Sequence, residues 1–301
     1  MQLATTTGDF ERFTDSHEKR IEYVSQAGFR HIDLSLYTVK EGDPLFGSGW
    51  REETRRLKET AARLGADFVQ AHAPNVNPLK DAVTARERLL RAIKICGTLG
   101  IRRMAVHGGW HEDVTDREVW FKMNRDFFHP LLPVLEENNV NLLCENTTKA
   151  NMPNWYYPVT GRDLRDFARF VDHPNFHVCW DTGHANIEGT QYGEILDLGD
   201  ELYAVHFNDN RGSQDEHVIP YMGTMNIDEV MCALTEIGFT GPLTFESGSA
   251  LRPARYWLGD RRPFEKENKL SEPPLILQQS LEKFMYETGV YILKSYDLWE
   301  S

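Results

Sequence analysis

The sequence lacks long apolar runs. None of its stretches approaches the roughly 20 uninterrupted apolar residues that a membrane span requires. The opening MQLATTTGDFERF has neither the basic block nor the apolar block of a secretory leader. The expectation is a soluble, unexported, cytoplasmic chain with no membrane partner. Cysteine is scarce: Cys96, Cys144, Cys179 and Cys232 are widely spaced, sit in apolar contexts and form no CxxC pair. That pattern reads as buried thiols in a reducing compartment, not as disulfides or a thiolate metal site. Positive charge is short as well, with 33 Lys and Arg against 46 Asp and Glu and a net charge of −13. Such a chain has no broad basic field for a polyanion, which disfavours nucleic acid as a partner while leaving room for a local basic groove. Also missing is a glycine-rich phosphate loop: TTTGDF, after the first candidate strand, is neither GxGxxG nor GxxxxGK[ST]. No organic cofactor is expected.

What the chain does have is a repeated unit, a short β-rich apolar run followed by a polar amphipathic stretch. Eight candidate strands are Gln2–Thr6, Phe29–Leu36, Phe68–His72, Arg103–His107, Asn141–Glu145, His177–Asp181, Tyr203–Phe207 and Leu243–Glu246. Helical periodicity is clearest at Trp50–Leu64, Ala82–Leu99, Arg117–Asn138, Arg162–Val171, Ile227–Ile237 and Ile276–Leu293. Gly28, Gly65, Gly100 and Gly238 stand just before the next strand, where a left-handed helix cap suits glycine. Eight βα units in 301 residues, undivided by any linker, predict one α/β domain over 1–301, a single (β/α)8 TIM barrel with its active site at the C-terminal ends of the strands. A doubly wound open sheet is the alternative. Asn151–Tyr157 and Leu251–Pro274 interrupt the rhythm and read as lids, substrate-contact loops or packing surfaces for a second copy, so a homo-oligomer is allowed.

Chemistry concentrates at the strand ends. His72, His107, Glu145, Asp181, His206 and Glu246 close QAH, AVH, LCE, CWD, AVH and TFE. All strand C-termini of a parallel barrel point to one face, so these six side chains converge over one mouth. His184 follows Asp181 in DTGHAN, read as a loop, and Asp215 and His217 lie after the seventh strand. Nine imidazole and carboxylate groups form the ligand set of Zn²⁺, Mn²⁺, Co²⁺ or Mg²⁺, and exceed what one ion uses. A single histidine at a strand end is more often hydrogen-bonded than a ligand, and His72 or His107 alone would be read so. Glu145, Asp181 and Glu246 resist that reading, because each ends a run expected to be buried, where an unpaired carboxylate costs several kcal/mol. His31, His129, His173 and His177 carry no assigned role, and His111 reads as a solvated loop residue.

The segments QAHAP, VHGG, LLCENTT, CWDTGHANIEG, VHFNDNRGSQDEH and LTFESG resemble, in order, the strand-end motifs of the xylose-isomerase-like TIM-barrel superfamily, from Phe68 to Gly248. That superfamily holds sugar isomerases and epimerases and the endonuclease IV relatives. The resemblance to the ketose 3-epimerases implies one divalent ion on Glu145, Asp181, His206 and Glu246, with Glu145 and Glu246 as the proton-transfer pair and His184 and Arg211 on substrate hydroxyls. The resemblance to endonuclease IV adds His72, His107, His184, Asp215 and His217 as further ligands of a multinuclear centre for phosphodiester hydrolysis.

The chain departs from both patterns. Tyr221–Asn226 (YMGTMN) replaces the usual GEG or GxG, and APNVNP after His72 lacks the bulky wedge of an enzyme that opens DNA. The fit of DTGHANIEG and HFNDNRG to the sugar branch and the acidic balance favour an isomerase or epimerase of a small sugar or polyol-derived ketone. On that reading His72 and His107 contact substrate. The alternatives are a multi-zinc phosphodiesterase and a barrel that binds sugar or metal without catalysis. The aromatic NMPNWYY and RYW (Arg255–Trp257) segments are candidates for a sugar-stacking wall, and the Arg252–Arg262 stretch leaves phosphorylation of the substrate open.

Overall fold

The eight β-rich runs become eight strands in a computed structural model that describes residues 1–189, 191–252, 266, 269–270 and 272–300. They are β1 (Leu3–Thr6), β2 (His31–Ser35), β3 (Asp67–His72), β4 (Arg103–Val106), β5 (Asn141–Glu145), β6 (Phe176–Asp181), β7 (Leu202–Phe207) and β8 (Leu243–Phe245). Each pairs in parallel with its chain neighbours, and β8 pairs with β1 through Leu3–Leu243 and Thr5–Phe245 to close the barrel. The α/β barrel is the expected fold.

Alternation along each strand decides what faces the axis. Ala105, Leu143, Cys179 and Ala204 pack together as a small inner cluster, while Met104, Leu142, Val178, Val205 and Leu243 join the larger core between strands and helices. Two residues beyond that inner layer come His107, Glu145, Asp181 and His206, on the same face of their strands. Small apolar groups thus plug the barrel beneath a polar upper layer.

The helices are α1 (His17–Ala27), α2 (Trp50–Arg63), α3 (Ala82–Leu99), α4 (Arg117–Phe128), α5 (Leu132–Asn138), α6 (Gly161–Val171), α7 (Thr182–Glu188), α8 (Tyr192–Leu198), α9 (Ile227–Glu236) and α10 (Leu275–Ser295). Side chains of Ser16, Asp81, Asp116, Thr160 and Asn226 accept amide hydrogens at the starts of α1, α3, α4, α6 and α9, satisfying donors that a first turn leaves free. Gly28, Gly65, Gly100 and Gly238 all have positive φ, as expected of glycine caps. Three readings are corrected. Arg117–Asn138 is two helices joined by a 3-10 turn at His129–Leu131, because Pro130 and Pro133 remove backbone donors there. DTGHAN is not a loop: Asp181 caps α7, which begins at Thr182. The sequence reading gave no bounds to α1, the helix that Gly28 closes, and passed over α8. Among the described residues no helix is long and apolar enough to cross a membrane.

Candidate active site

The polar layer opens into a cavity of about 380 Å³ lined by His72, His107, Glu145, His184, Asp215, His217 and Glu246, with Asp181 and His206 buried in its floor. Glu145 is the hub. Its Oε1 lies 3.1 Å from His206 Nδ1 and 3.8 Å from His184 Nδ1, and its Oε2 lies 3.3 Å from His72 Nε2 and 3.9 Å from His107 Nε2. Glu246 Oε2 approaches the same His206 Nδ1 at 3.5 Å. Asp181 accepts the His184 amide and the Asn208 side-chain amide, each at 2.7 Å.

Neighbours fix the rings. His72 Nδ1 donates to the Ala73 carbonyl, His184 Nδ1 to the Asn146 carbonyl and His217 Nδ1 to the Glu246 carbonyl, leaving Nε2 of each facing the site. Asp215 bridges His184 Nε2 and His217 Nε2, each at 3.1 Å, so the loop after β7 does reach over the mouth. Gly183 is required in α7 because a Cβ there would overlap the Asn208 amide oxygen.

The donor set fits a divalent ion. Ligand atoms of Glu145, Asp181, His206 and Glu246 lie within 4.8 Å of one another, and three further groupings meet the same criterion: His72, His107 and Glu145; Asp181, His184 and His217; His72, His206 and Glu246. Glu145 Oε2 and His206 Nδ1 are buried and find no hydrogen-bond partner among the described residues, the condition of groups built to face a cation.

Charge is unevenly held. Burial opposes ionisation of Glu145, yet His206, His107 and His72 outweigh it and hold its carboxyl well below the usual range. Burial pushes Glu246 up. Burial drives His107 down to about 4. His184, though buried, is pushed up to about 10 by Asp181 and Asp215, and Asp215 is held far down, against its burial, by His217 and His184.

Arg211 does not join these groups. Its guanidinium is exposed, lies 3.3 Å from Glu216 Oε1 and is absent from the cavity lining. Beside it, Gly212 has positive φ and donates its amide to Asn210 Oδ1. In NMPNWYY, Trp155 stacks on Trp110 at 4.4 Å beside the cavity, and Tyr157 hydrogen-bonds the Gly108 amide and the Glu145 carbonyl. Arg255–Trp257 lies outside the described residues. The sequence reading missed Asp9, Tyr37, Asn75 and Trp110 in the lining, and Gln70 beneath it. Gln70 was the findable one, since it precedes His72 by two and shares its face.

Residues 21–268 match the family model of the xylose isomerase-like TIM barrel. The uncharacterized protein y4fM of Sinorhizobium fredii is 26% identical over 269 residues, covering 75% of this chain and 79% of that protein. A ketose 3-epimerase of Arthrobacter globiformis is 32% identical over 115 residues, 37% of this chain and 36% of that one. D-psicose 3-epimerase of Clostridium cellulolyticum H10, crystallised with D-tagatose, has the same fold, with TM-score 0.73 at 18% identity, covering 97% and 99% of the two chains. The IOLI protein with a bound zinc atom superposes with TM-score 0.75 at 16% identity, covering 98% and 99%.

Proposed function

The chain belongs to the xylose isomerase-like TIM-barrel family, and from that premise we propose that it is a divalent-metal-dependent isomerase or epimerase of a small sugar or polyol-derived ketone. The observation that carries the reading is the quartet Glu145, Asp181, His206 and Glu246. These four would hold the ion, and three carboxylates with one imidazole suit Mn²⁺, Zn²⁺, Co²⁺ or Mg²⁺. When bound, such an ion supplies Lewis-acid stabilisation of the negative charge that develops on a substrate carbonyl oxygen.

Glu145 and Glu246 are the proton-transfer pair. Both reach His206 Nδ1, so they flank one point of the cavity. One takes the proton from the carbon beside the carbonyl. The other returns a proton, on the opposite face for epimerisation or at the neighbouring carbon for isomerisation. Their opposite displacements in the bare chain suit that division, with Glu145 held ionised and Glu246 retaining its proton more readily. His72, His107 and His184 line the cavity and hold substrate oxygens. The similarity to ketose 3-epimerases supports the substrate class.

The test is metal content of protein purified without added metal or chelator, followed by a ketose panel in D₂O. One ion per chain with deuterium entering at the exchanged carbon is the expected result. Metal-loaded protein that neither converts nor exchanges any ketose overturns the reading.

A second reading is favoured by the three additional ligand groupings, which bring His72, His107, His184 and His217 within ligand range of Glu145, Asp181 or Glu246. On it, two or three ions would serve hydrolysis of a phosphoester. Two or three ions per chain, largely zinc, with cleavage of abasic DNA or a small phosphodiester, is its signature.

A further inference from the structure

One wall of the cavity is built by the turn that follows β1. Asp9 sits in the 3-10 turn Thr7–Phe10 and lines the cavity together with Gly8, Glu11 and Ser249. Behind it, Glu282 reaches in from the middle of α10 and is fully buried. The two carboxyl groups lie within hydrogen-bonding reach of each other. Glu282 Oε1 accepts the Thr5 hydroxyl at 2.8 Å, while Asp9 Oδ2 and Glu282 Oε2 find no donor among the described residues. The neighbouring Arg12 directs its guanidinium to the Leu251 carbonyl at 2.8 Å and to Gln278 Oε1 at 2.9 Å.

Two carboxyl groups this close, with Glu282 fully buried and Asp9 Oδ2 shielded from solvent, resist ionising together, so the pair keeps a proton, which supplies the missing donor. Burial and the neighbouring Asp9 carboxyl push Glu282 well above the usual range. The Asp9 carboxyl packs against the backbone of Gly248, where a Cβ would overlap it. A located carboxyl that shares a proton both donates and accepts, as a sugar hydroxyl does.

We propose that Asp9 is a further substrate-contacting residue, binding a hydroxyl of a polyhydroxy substrate at the β1 wall, and that Glu282 is the positioning residue that holds its carboxyl there. The assignment rests on the sugar reading of the site. It also makes that wall a subsite for a hydroxyl and not for a phosphate, which would face Asp9, Glu11 and Glu246 together.

The experiment is calorimetric binding of a ketose panel and its monodeoxy analogues to metal-loaded wild type, Asp9→Ala, Asp9→Asn and Glu282→Gln, with ion content and melting temperature recorded for each. The best ketose should bind Asp9→Ala about tenfold more weakly, the loss of one hydrogen bond with a partner left behind. One monodeoxy analogue should show no further loss in that variant, Asp9→Asn should recover most of the affinity, and ion content should not change. The infrared stretch of a protonated carboxyl, present in wild type and lost in Asp9→Asn and Glu282→Gln, reads the pair without substrate; its absence from wild type overturns the pair. Unchanged ketose affinity in Asp9→Ala overturns the role of Asp9 alone. A wild type that binds no ketose overturns that role together with the sugar reading.

Discussion

The Gln70 amide lies 2.8 Å from His206 Nε2, one layer below the carboxylates. With Nε2 engaged, the ring can offer only Nδ1 to Glu145 and Glu246. Thr244 donates to the Gln70 carbonyl oxygen at 3.3 Å and steadies the amide. An outer partner of this kind orients the imidazole, and for Nδ1 to hold an ion the Gln70 amide would turn its oxygen to accept the Nε2 hydrogen.

Replacing Gln70 with Leu should therefore weaken binding of a divalent ion by about 10- to 100-fold with little change in fold. Ion titration of metal-free protein, with circular dichroism as the folding control, checks it. Wild-type affinity in Gln70→Leu would mean that packing alone orients His206.

Glu145→Gln and Glu246→Gln keep the shape of the side chains and remove the proton acceptor. Each should lower turnover of the best ketose by about 10²- to 10⁴-fold. Exchange of the substrate's carbon-bound hydrogen with D₂O should fall in parallel. A variant that loses turnover but still exchanges would assign the missing glutamate to proton return.

His72→Asn and His107→Asn separate the two functional readings. For a single-ion epimerase both variants should keep one ion per chain and mainly raise KM, because these side chains would touch substrate. For a multinuclear hydrolase each should lose an ion and abolish activity.

The His184–Asp215 pair predicts a pH dependence of metal-free stability. His184 is raised to about 10 from an ordinary 6.5. Its contribution is therefore complete below about pH 6.5 and is lost as pH rises towards 10, falling by about 1.4 kcal/mol per pH unit between them. Chemical denaturation of wild type and His184→Gln between pH 6 and pH 10 checks it. The variant should be less stable at pH 6 and flatter across that window, where unfolding of the wild type releases this proton.

Gly183→Ala should destabilise the protein, by about 1–3 kcal/mol if neighbours can shift, because its methyl group would collide with the Asn208 amide that holds Asp181. Thermal melting measures the loss, and ion affinity should fall with it.

Much of this was written in the chain itself. The recurrence of short apolar β-rich runs, each followed by a polar amphipathic stretch, located eight strands, since a strand buried on both faces reads locally as an apolar run. Carboxylates at the ends of buried runs marked Glu145, Asp181 and Glu246, because charge there needs a purpose. Helix α7 was not legible: its TGHANIE is short and carries a glycine, and it is held by the Asp181 cap and by Thr182 and Asn210 bonding across to the β7 loop and back.

What only the tertiary structure decided is which distant groups meet. Nothing in the order of residues places Thr5 against Glu282, 277 positions away, or turns Arg211 out of the cavity while Asp215 reaches in. Strand-end chemistry is fixed by periodicity, which a chain carries along its length. Pairings of that kind depend on how the barrel closes and where α10 docks, and those come from packing many segments at once.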